Sequence, residues 1–189
     1  MNIADSFNKI AGVAAENNEI LKKLITSGKY LIAPSKYDRL DIKQGSAFAH
    51  QPIFGASSNT GHQGNWLIDS HRNVTTPCQR QSVSLGVQAT GTMTSPPFVI
   101  RSATLSFLIG GGCFDNHKVR MEILVNGSAV VLRSGNCKSQ MQRTKVDLQN
   151  WVGRIARVKL VDQSAGNWGY ITFDDLRYET TCEGNFQHH

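Results

Sequence analysis

Residues 119–132 read VRMEILVNGSAVVL, and this stretch decides the fold class. Residues 119–125 and 129–132 are rich in β-branched side chains, which favour strands. Between these two runs lies the pair Asn126-Gly127, which supplies the positive φ angles of a two-residue hairpin turn. The stretch therefore predicts two antiparallel strands joined by a tight turn.

Short apolar runs separated by Gly, Asn and Ser turns continue on both sides of this hairpin. They predict six further strands, at residues 65–70, 98–100, 103–109, 144–148, 155–161 and 170–178. About eight short strands with such turns are typical of a sandwich, whose two sheets bury alternate residues against each other. We predict a mainly β protein with an antiparallel β-sandwich domain at residues 45–178.

A different pattern precedes the predicted sandwich. Apolar residues recur there at the spacing of one helical face: Ile3, Phe7, Ile10, Ala14, Leu21 and Leu24. This pattern predicts an amphipathic N-terminal α-helix within residues 1–28, followed by an extended connector over residues 29–44. Residues 179–189 are predicted to form a C-terminal tail. The helix has three alternative uses: packing on its own domain, on a neighbouring protein, or on a second copy of the chain.

The charge of the chain points to no particular partner. The 20 Lys and Arg residues outnumber the 14 Asp and Glu residues, but they form no basic cluster in the sequence. The densest stretch, residues 154–159, alternates basic with apolar residues, as a half-exposed strand does. We expect no nucleic-acid partner and no membrane span, and the first residues lack the features of a secretory signal.

The four cysteines match neither the paired spacing of a zinc site nor a redox CxxC motif. Cys113 and Cys137 are candidates for a disulfide if they lie in neighbouring loops, whereas a cytosolic environment would keep them reduced. The sequence leaves these two alternatives open.

No catalytic constellation is evident in the sequence. The six histidines do not have HExxH spacing, and no serine lies in a GxSxG context. We therefore predict that the protein is not an enzyme.

Sugar binding combines an aromatic platform with directional polar side chains. Trp66 and Trp168 are the possible platforms. We predict Trp66, because Trp168 in its Gly-Asn-Trp-Gly context is expected to cap the edge of the sandwich. Polar partners are available if the strand at residues 65–70 and the loop after Gly112 share a common rim: Asp69, His71, Arg72, Asn116 and His117.

Calcium is the one cofactor that the sequence raises. Asp174 and Asp175 are expected on opposite faces of a strand, and Asp174 is the candidate calcium ligand. The alternative is a surface carboxylate that pairs with Arg177.

A set of short blocks occurs in the order found in a known module. The blocks are GNWLIDS (64–70), GTMTSPPFVI (91–100), LSFLIGGG (105–112), LVNG (124–127), VDL (146–148) with GRIAR (153–157), LVD (160–162), GNWGYI (166–171) and FDDL (173–176). They resemble the β-sandwich module appended to levanase-like family 32 glycoside hydrolases and related bacterial surface proteins. The resemblance implies a jelly-roll-like sandwich that binds sugar in some members and is structural in others. It also implies that the hydrolytic carboxylates belong to a separate propeller domain. Tyr170 stands where the module usually has a histidine.

Residues 3–11, IADSFNKIA, resemble the start of tailed-bacteriophage tail and virion proteins. Together the two resemblances imply a non-enzymatic structural protein of a phage virion, such as a decoration, tail or fibre component. It would be located in the virion and anchored through its N-terminal segment to other virion proteins or to further copies of itself. The alternative is a free-standing carbohydrate-binding module that recognises a glycan.

Overall fold

The computed structural model of the chain describes residues 42–55, 59–76, 84–86, 88–113 and 118–179. The strands are β1 (Ile42–Gly45), β2 (Ile53–Phe54), β3 (Trp66–Asp69), β4 (Gly91–Thr94), β5 (Phe98–Val99), β6 (Thr104–Gly111), β7 (Val119–Val125), β8 (Ser128–Arg133), β9 (Lys138–Asp147), β10 (Ile155–Asp162) and β11 (Ile171–Tyr178). A 3-10 turn, Gln149–Trp151, links β9 to β10. The predicted N-terminal helix and its six apolar residues lie outside the described residues. No helix in the described ranges is long and apolar enough to cross a membrane.

The strands form two antiparallel sheets. Sheet A has the order β1-β4-β10-β7-β8, and β5 also pairs with β10; sheet B has the order β2-β3-β11-β6-β9. From β6 onward the chain crosses repeatedly between the sheets: β6 is in sheet B, the β7–β8 hairpin in sheet A, β9 in sheet B, β10 in sheet A and β11 in sheet B. The prediction of a mainly β, antiparallel sandwich is confirmed.

The main core lies between the two sheets. In β6 the side chains of Leu105, Phe107 and Ile109 are buried against those of sheet A. Phe107 also packs on Phe173 of β11, with ring centroids 5.5 Å apart. Burying each large apolar side chain stabilises the fold by about 1.5–3 kcal/mol, so alternation along the strands fixes which face turns inward.

The predicted hairpin is present as β7 and β8. Val125 pairs with Ser128, and the two turn residues between them, Asn126 and Gly127, have φ angles of 51° and 80°. These are the positive angles that a tight turn between twisted strands requires.

Four strands, β1, β2, β4 and β9, differ from the predicted ones. Residues 42–44 of the predicted connector already pair with β4, with Ile42 opposite Thr94. Strand β9 begins at Lys138, six residues before the predicted start. Most residues of its first half are polar and exposed on a sheet edge, so they give no apolar pattern from which a strand could be predicted. The short strands β2 and β4 were not among the predicted runs.

The sandwich has two distinct ends. At the loop end, sheet A terminates at Asp162, which lies opposite Gly91 and Val119, and sheet B terminates at Gly111, which lies opposite Ile171. The hairpin end carries the β7–β8 turn, β5 and the 3-10 turn. Residues 163–170 connect β10 to β11 at the loop end, so this loop passes from one sheet to the other.

Candidate functional site

The predicted platform, Trp66, does not lie beside its predicted polar partners. Successive side chains of a strand point to opposite faces, so Trp66 and Asp69, three positions apart in β3, face opposite sides of sheet B. The Trp66 ring instead packs edge-on against Phe54 of β2, with centroids 5.4 Å apart. The structure therefore separates these two members of the predicted sugar site.

Asp69, His71 and Arg72 do lie together, in the turn that follows β3. Asp69 is buried, with 2% exposure, and its Oδ1 atom accepts the His71 backbone N–H at 2.9 Å. Its Oδ2 atom is 3.5 Å from Arg72 Nε. Burial raises the pKa of Asp69, while the His71 N–H bond and the Arg72 charge oppose that rise. The Asp69 carboxylate thus organises the turn. The other two predicted polar partners, Asn116 and His117, lie outside the described residues.

The loop end carries a row of three neighbouring rings, which we call the aromatic row: His71, Tyr170 and Trp168. The His71 and Tyr170 centroids are 5.3 Å apart, and those of Tyr170 and Trp168 are 5.9 Å apart with planes inclined by 28°. Tyr170 lies in the middle, so Trp168 is a terminal ring of the row. Trp168 remains partly exposed to solvent.

The loop of residues 163–170 holds Trp168 through its backbone. Gly169 donates its N–H to Gly166 O at 2.8 Å, and Tyr170 donates to Trp168 O at the same distance. Between these bonds Trp168 adopts a φ of 62°, in the left-handed region that bulky residues rarely occupy. The Tyr170 hydroxyl reaches Ser139 Oγ of β9 at 3.3 Å.

The end of β6 contacts the backbone of Tyr170, the middle residue of the aromatic row. Gly112 donates its N–H to Tyr170 O at 2.8 Å, and Gly111 has a φ of 86°. A Cβ atom at Gly111 would lie only 2.2 Å from Tyr170 O, so only glycine allows this approach. Cys137 donates its N–H to Gly111 O at 2.8 Å. Cys113 and Cys137 form a disulfide, the pairing that the sequence left open.

A buried polar network underlies the loop end. Asp162 is fully buried, and its Oδ2 atom accepts the Ser70 hydroxyl at 2.6 Å. Ser70 Oγ in turn accepts the Ile171 N–H at 2.9 Å, so the network ties the end of sheet A to sheet B. Burial raises the pKa of Asp162 to about 6, although its bonds from Ser70 and Ser164 lower it.

The two adjacent aspartates of β11 have different partners. Asp174 Oδ2 accepts the Gln63 N–H at 2.6 Å, and burial raises the pKa of Asp174. Asp175 pairs with Arg143 and also lies 3.5 Å from Arg177, at a break in the β6–β11 register. Arg177 therefore pairs with Asp175 and not with Asp174.

No group of three or more His, Cys, Asp or Glu side chains suited to a metal ion occurs among the residues that the structure describes. Calcium binding at Asp174 stays a prediction.

Tyr170 and Ser139 were not among the predicted site residues, and Trp168, one of two possible platforms, was expected to cap the edge of the sandwich. One signal was available: in Gly166-Asn167-Trp168-Gly169-Tyr170 two glycines flank a tryptophan, with a second aromatic residue two positions on. Flanking glycines indicate an unusual backbone, and a large ring placed there indicates a surface use. His71 could not be found in this way, because it is 99 positions before Tyr170 in the chain.

Comparisons with known proteins give one relative by sequence. No protein-family model matches the chain. The chain is similar to a protein of Aspergillus rugulosus named "Putative glycosyl hydrolase ecdE", with 28% identity over 133 residues. The match covers 70% of this chain and 17% of that protein. This chain therefore spans less than a fifth of the relative's length.

Two solved structures have a similar architecture. The C-terminal extracellular domain of Mycobacterium tuberculosis EmbC aligns with a TM-score of 0.46 and 14% identity, covering 88% of this chain and 70% of that one. TmCBM61, solved in complex with β-1,4-galactotriose, aligns with a TM-score of 0.43 and 13% identity, covering 74% and 88%. Both TM-scores are below 0.5, so neither likeness supports an argument about ligand or function.

The Aspergillus relative corrects one prediction and leaves another untested. The prediction that the protein is not an enzyme is contradicted, because that relative is named as a hydrolase. None of these three proteins is named as a phage protein, and the virion role stays a prediction. The chain is an antiparallel β-sandwich that resembles, over most of its length, a part of a protein named as a glycosyl hydrolase.

Proposed function

We propose that the sandwich binds carbohydrate at its loop end, with a sugar ring stacked on Trp168. The observation that carries this proposal is the aromatic row, whose terminal ring is partly exposed and is fixed by the backbone of residues 163–170. Tyr170 contacts both other rings of the row, whereas Trp168 contacts Tyr170 alone within the row and is partly exposed, so we assign the stacking face to Trp168.

The chemistry of the row suits a sugar. The C–H face of a pyranose is apolar and packs on an aromatic ring, while its hydroxyls require directional partners at the edge. The Tyr170 and Ser139 hydroxyls lie beside the row and provide such partners. The Aspergillus relative, a hydrolase of glycosyl groups by its name, supports the same class of ligand.

The backbone of Trp168 also supports a ligand role. A bulky residue at positive φ costs on the order of 1–3 kcal/mol, and such residues concentrate at functional sites. Core packing does not offset this backbone strain, because Trp168 belongs to neither core cluster of the described residues. Trp151, in contrast, packs against the main core. A strained residue that adds nothing to core packing is expected where ligand binding requires its side chain, and Trp168 fits this description.

A glycan array followed by calorimetry tests the proposal. We expect the wild-type protein to bind a defined set of glycans, and Trp168→Ala to weaken binding by about tenfold or more, since loss of one stacking face removes roughly 1.4 kcal/mol or more. Trp66→Ala is the matched control, because Trp66 is also a partly exposed tryptophan but packs on Phe54. Absence of any glycan ligand, or equal losses in the two variants, would contradict the proposal.

A second substitution separates binding from stability. Trp168→Gly removes the positive-φ cost together with the ring, so the free energy of unfolding should stay within about 1 kcal/mol of the wild-type value. Binding should be lost as completely as in Trp168→Ala. If Trp168 instead only capped the sandwich edge, Trp168→Gly would lower the free energy of unfolding and leave glycan binding unchanged.

The virion role is a separate proposal that concerns the N-terminal segment. The sequence pattern of residues 1–28 supports attachment to other virion proteins or to copies of the chain, with the sandwich displayed outward as a decoration, tail or fibre component. Deletion of residues 1–28, which leaves β1 and Gln44 in place, tests this role: incorporation into particles should be lost while the sandwich keeps its glycan affinity. Unchanged incorporation would contradict it.

A further inference from the structure

A groove opens at the loop end on the side of sheet A. It has a volume of about 290 Å³ and lies where β1 ends, β4 begins and β10 ends. Its rim carries the side chains of Gln44, Thr90, Thr92 and Gln163, and its two glycines, Gly45 and Gly91, add no side chain to it. This volume is at the lower limit for small-molecule sites, which suits a single compact group.

The rim of the groove is neutral and rich in directional hydrogen-bonding groups. Gln44 and Gln163 each offer an amide that both donates and accepts, and the two threonines offer hydroxyls. Gln44 and Gln163 are exposed, so their amides are accessible from solvent. The one ionisable residue of the lining is Asp162, which is fully buried and accepts bonds from Ser70 and Ser164. An anionic ligand would find no counter-charge in this lining.

The groove and the aromatic row belong to one end of the molecule. Gln163 lines the groove and begins the loop that carries Trp168 five positions later. Gln88 lies two residues before Thr90 of the groove rim. Its Nε2 atom donates to Ala165 O at 3.3 Å, and this hydrogen bond holds the loop of residues 163–170. The Asp162–Ser70–Ile171 network lies beneath both features and fixes the sheet ends that carry them.

We propose that this groove is a second subsite, so that the ligand is an uncharged oligosaccharide of at least two units, one on Trp168 and a neighbour in the groove. This inference rests on the proposed carbohydrate function and names the class of its ligand. Amides and hydroxyls around a bare backbone floor suit the hydroxyls of a neutral sugar, which both donate and accept. The aromatic row provides stacking and the groove provides directional recognition.

Calorimetry with the monosaccharide and the disaccharide of the glycan found on the array tests the subsite. For the wild-type protein we expect the disaccharide to bind about tenfold more tightly, because two added hydrogen bonds contribute roughly 1–3 kcal/mol. The double variant Gln44→Ala/Gln163→Ala should lose this difference and keep the monosaccharide affinity. Gln149→Ala, an exposed glutamine at the hairpin end, is the matched control and should behave as the wild type.

The outcomes separate the two proposals. If Trp168→Ala abolishes binding while the double glutamine variant keeps the wild-type gain from the second unit, the subsite is overturned and the carbohydrate function stands. If only sulfated or other acidic glycans bind, the neutral subsite is likewise overturned. If the array shows no ligand, the carbohydrate function fails and the subsite fails with it. If Trp168→Ala binds as the wild type, the placement of a sugar on Trp168 is overturned, and so is a subsite beside it.

Discussion

The two ends of the sandwich share the same strands but are built differently. The loop end contains buried Asp69, Ser70 and Asp162, a disulfide and the neighbouring rings of the aromatic row. The hairpin end exposes aliphatic side chains, among them Val99 and Ile155, which are paired across β5 and β10.

Their glycines differ as well. Gly111 at the loop end is crowded by the Tyr170 backbone, whereas a Cβ atom at Gly153, at the hairpin end, would meet nothing within 4 Å. The backbone at Gly111 is therefore closely packed, and that at Gly153 is open.

This difference indicates where the molecule carries its function. Buried carboxylates and residues at positive φ lower stability, and natural proteins retain such features mainly at functional sites. At the hairpin end the positive φ angles belong to ordinary turn residues, Asn126, Gly127 and Gly153. Among the described residues, that end has no buried carboxylate such as Asp162 and no bulky side chain at positive φ such as Trp168. The contrast between the ends therefore supports the loop end as the binding site without reference to any relative.

The largest expected effect contrasts two glycines at positive φ. Gly111→Ala should lower the free energy of unfolding by about 4 kcal/mol or more, because the added Cβ atom meets the Tyr170 carbonyl and the φ of 86° disfavours a side chain. Gly153→Ala has nearly the same φ, 84°, but open space, and should lower it by about 1–2 kcal/mol. Urea unfolding of both variants measures the difference, and equal losses would refute the proposed crowding at the loop end.

The next effect concerns the disulfide, which fastens the loop end alone. Replacing both Cys113 and Cys137 by serine should lower the free energy of unfolding by about 3–4 kcal/mol, since the bond closes a loop with a sequence separation of 24. Unfolding of the wild type with and without a thiol reductant should show a similar loss. The double-serine variant is the control and should not respond to the reductant; a response there would assign the effect to another group.

A smaller effect is expected from Asp162. In the folded protein its pKa is raised to about 6 by burial, above the value near 4 of an unfolded chain. The unfolded state therefore ionises first as the pH rises, and this group lowers the free energy of unfolding progressively between about pH 4 and 6. Above pH 6 the loss is constant, at about 2–3 kcal/mol.

The variant Asp162→Asn tests this expectation. It cannot titrate at this position, so its free energy of unfolding should fall less between pH 4 and 7 than that of the wild type. Asp174 also has a raised pKa and titrates in both proteins, whereas the Asp69 charge itself raises the pKa of Asp162; the difference between the two pH profiles therefore reports Asp162 together with its coupling to Asp69. Parallel profiles would show that the Asp162 carboxylate does not carry this cost.

The sequence predicts those parts of the fold whose cause is local. Strands β7 and β8 are predicted because Asn126-Gly127 dictates the turn, and β10 because its apolar residues alternate along the whole strand. Strand β9 is only half predicted, since an edge strand buries few residues and leaves no periodic signal. The pairing of Ile42 with Thr94 is set by the other strands of sheet A and leaves no local mark.

The candidate site depends on contacts that are distant in the chain, and less of it is predictable. His71 meets Tyr170 only because β3 and β11 are neighbours in sheet B. The separation of Trp66 from Asp69 was, in contrast, available from the sequence, because residues three apart in a strand face opposite sides. The hypothesis of a common rim set that rule aside, and the structure restores it.

The order of strands in the sheets has a consequence for the synthesis of the chain. The last two strands of the described residues, β10 and β11, are interior strands: β10 lies between β4 and β7, and β11 between β3 and β6. A nascent chain that ends before residue 155 therefore has neither central strand, and the edges of β4, β7, β3 and β6 stay unpaired. Sheet A is complete only once Asp162 has been synthesised and sheet B only once Tyr178 has been, so we expect the two sheets to assemble after most strands of this domain have been made.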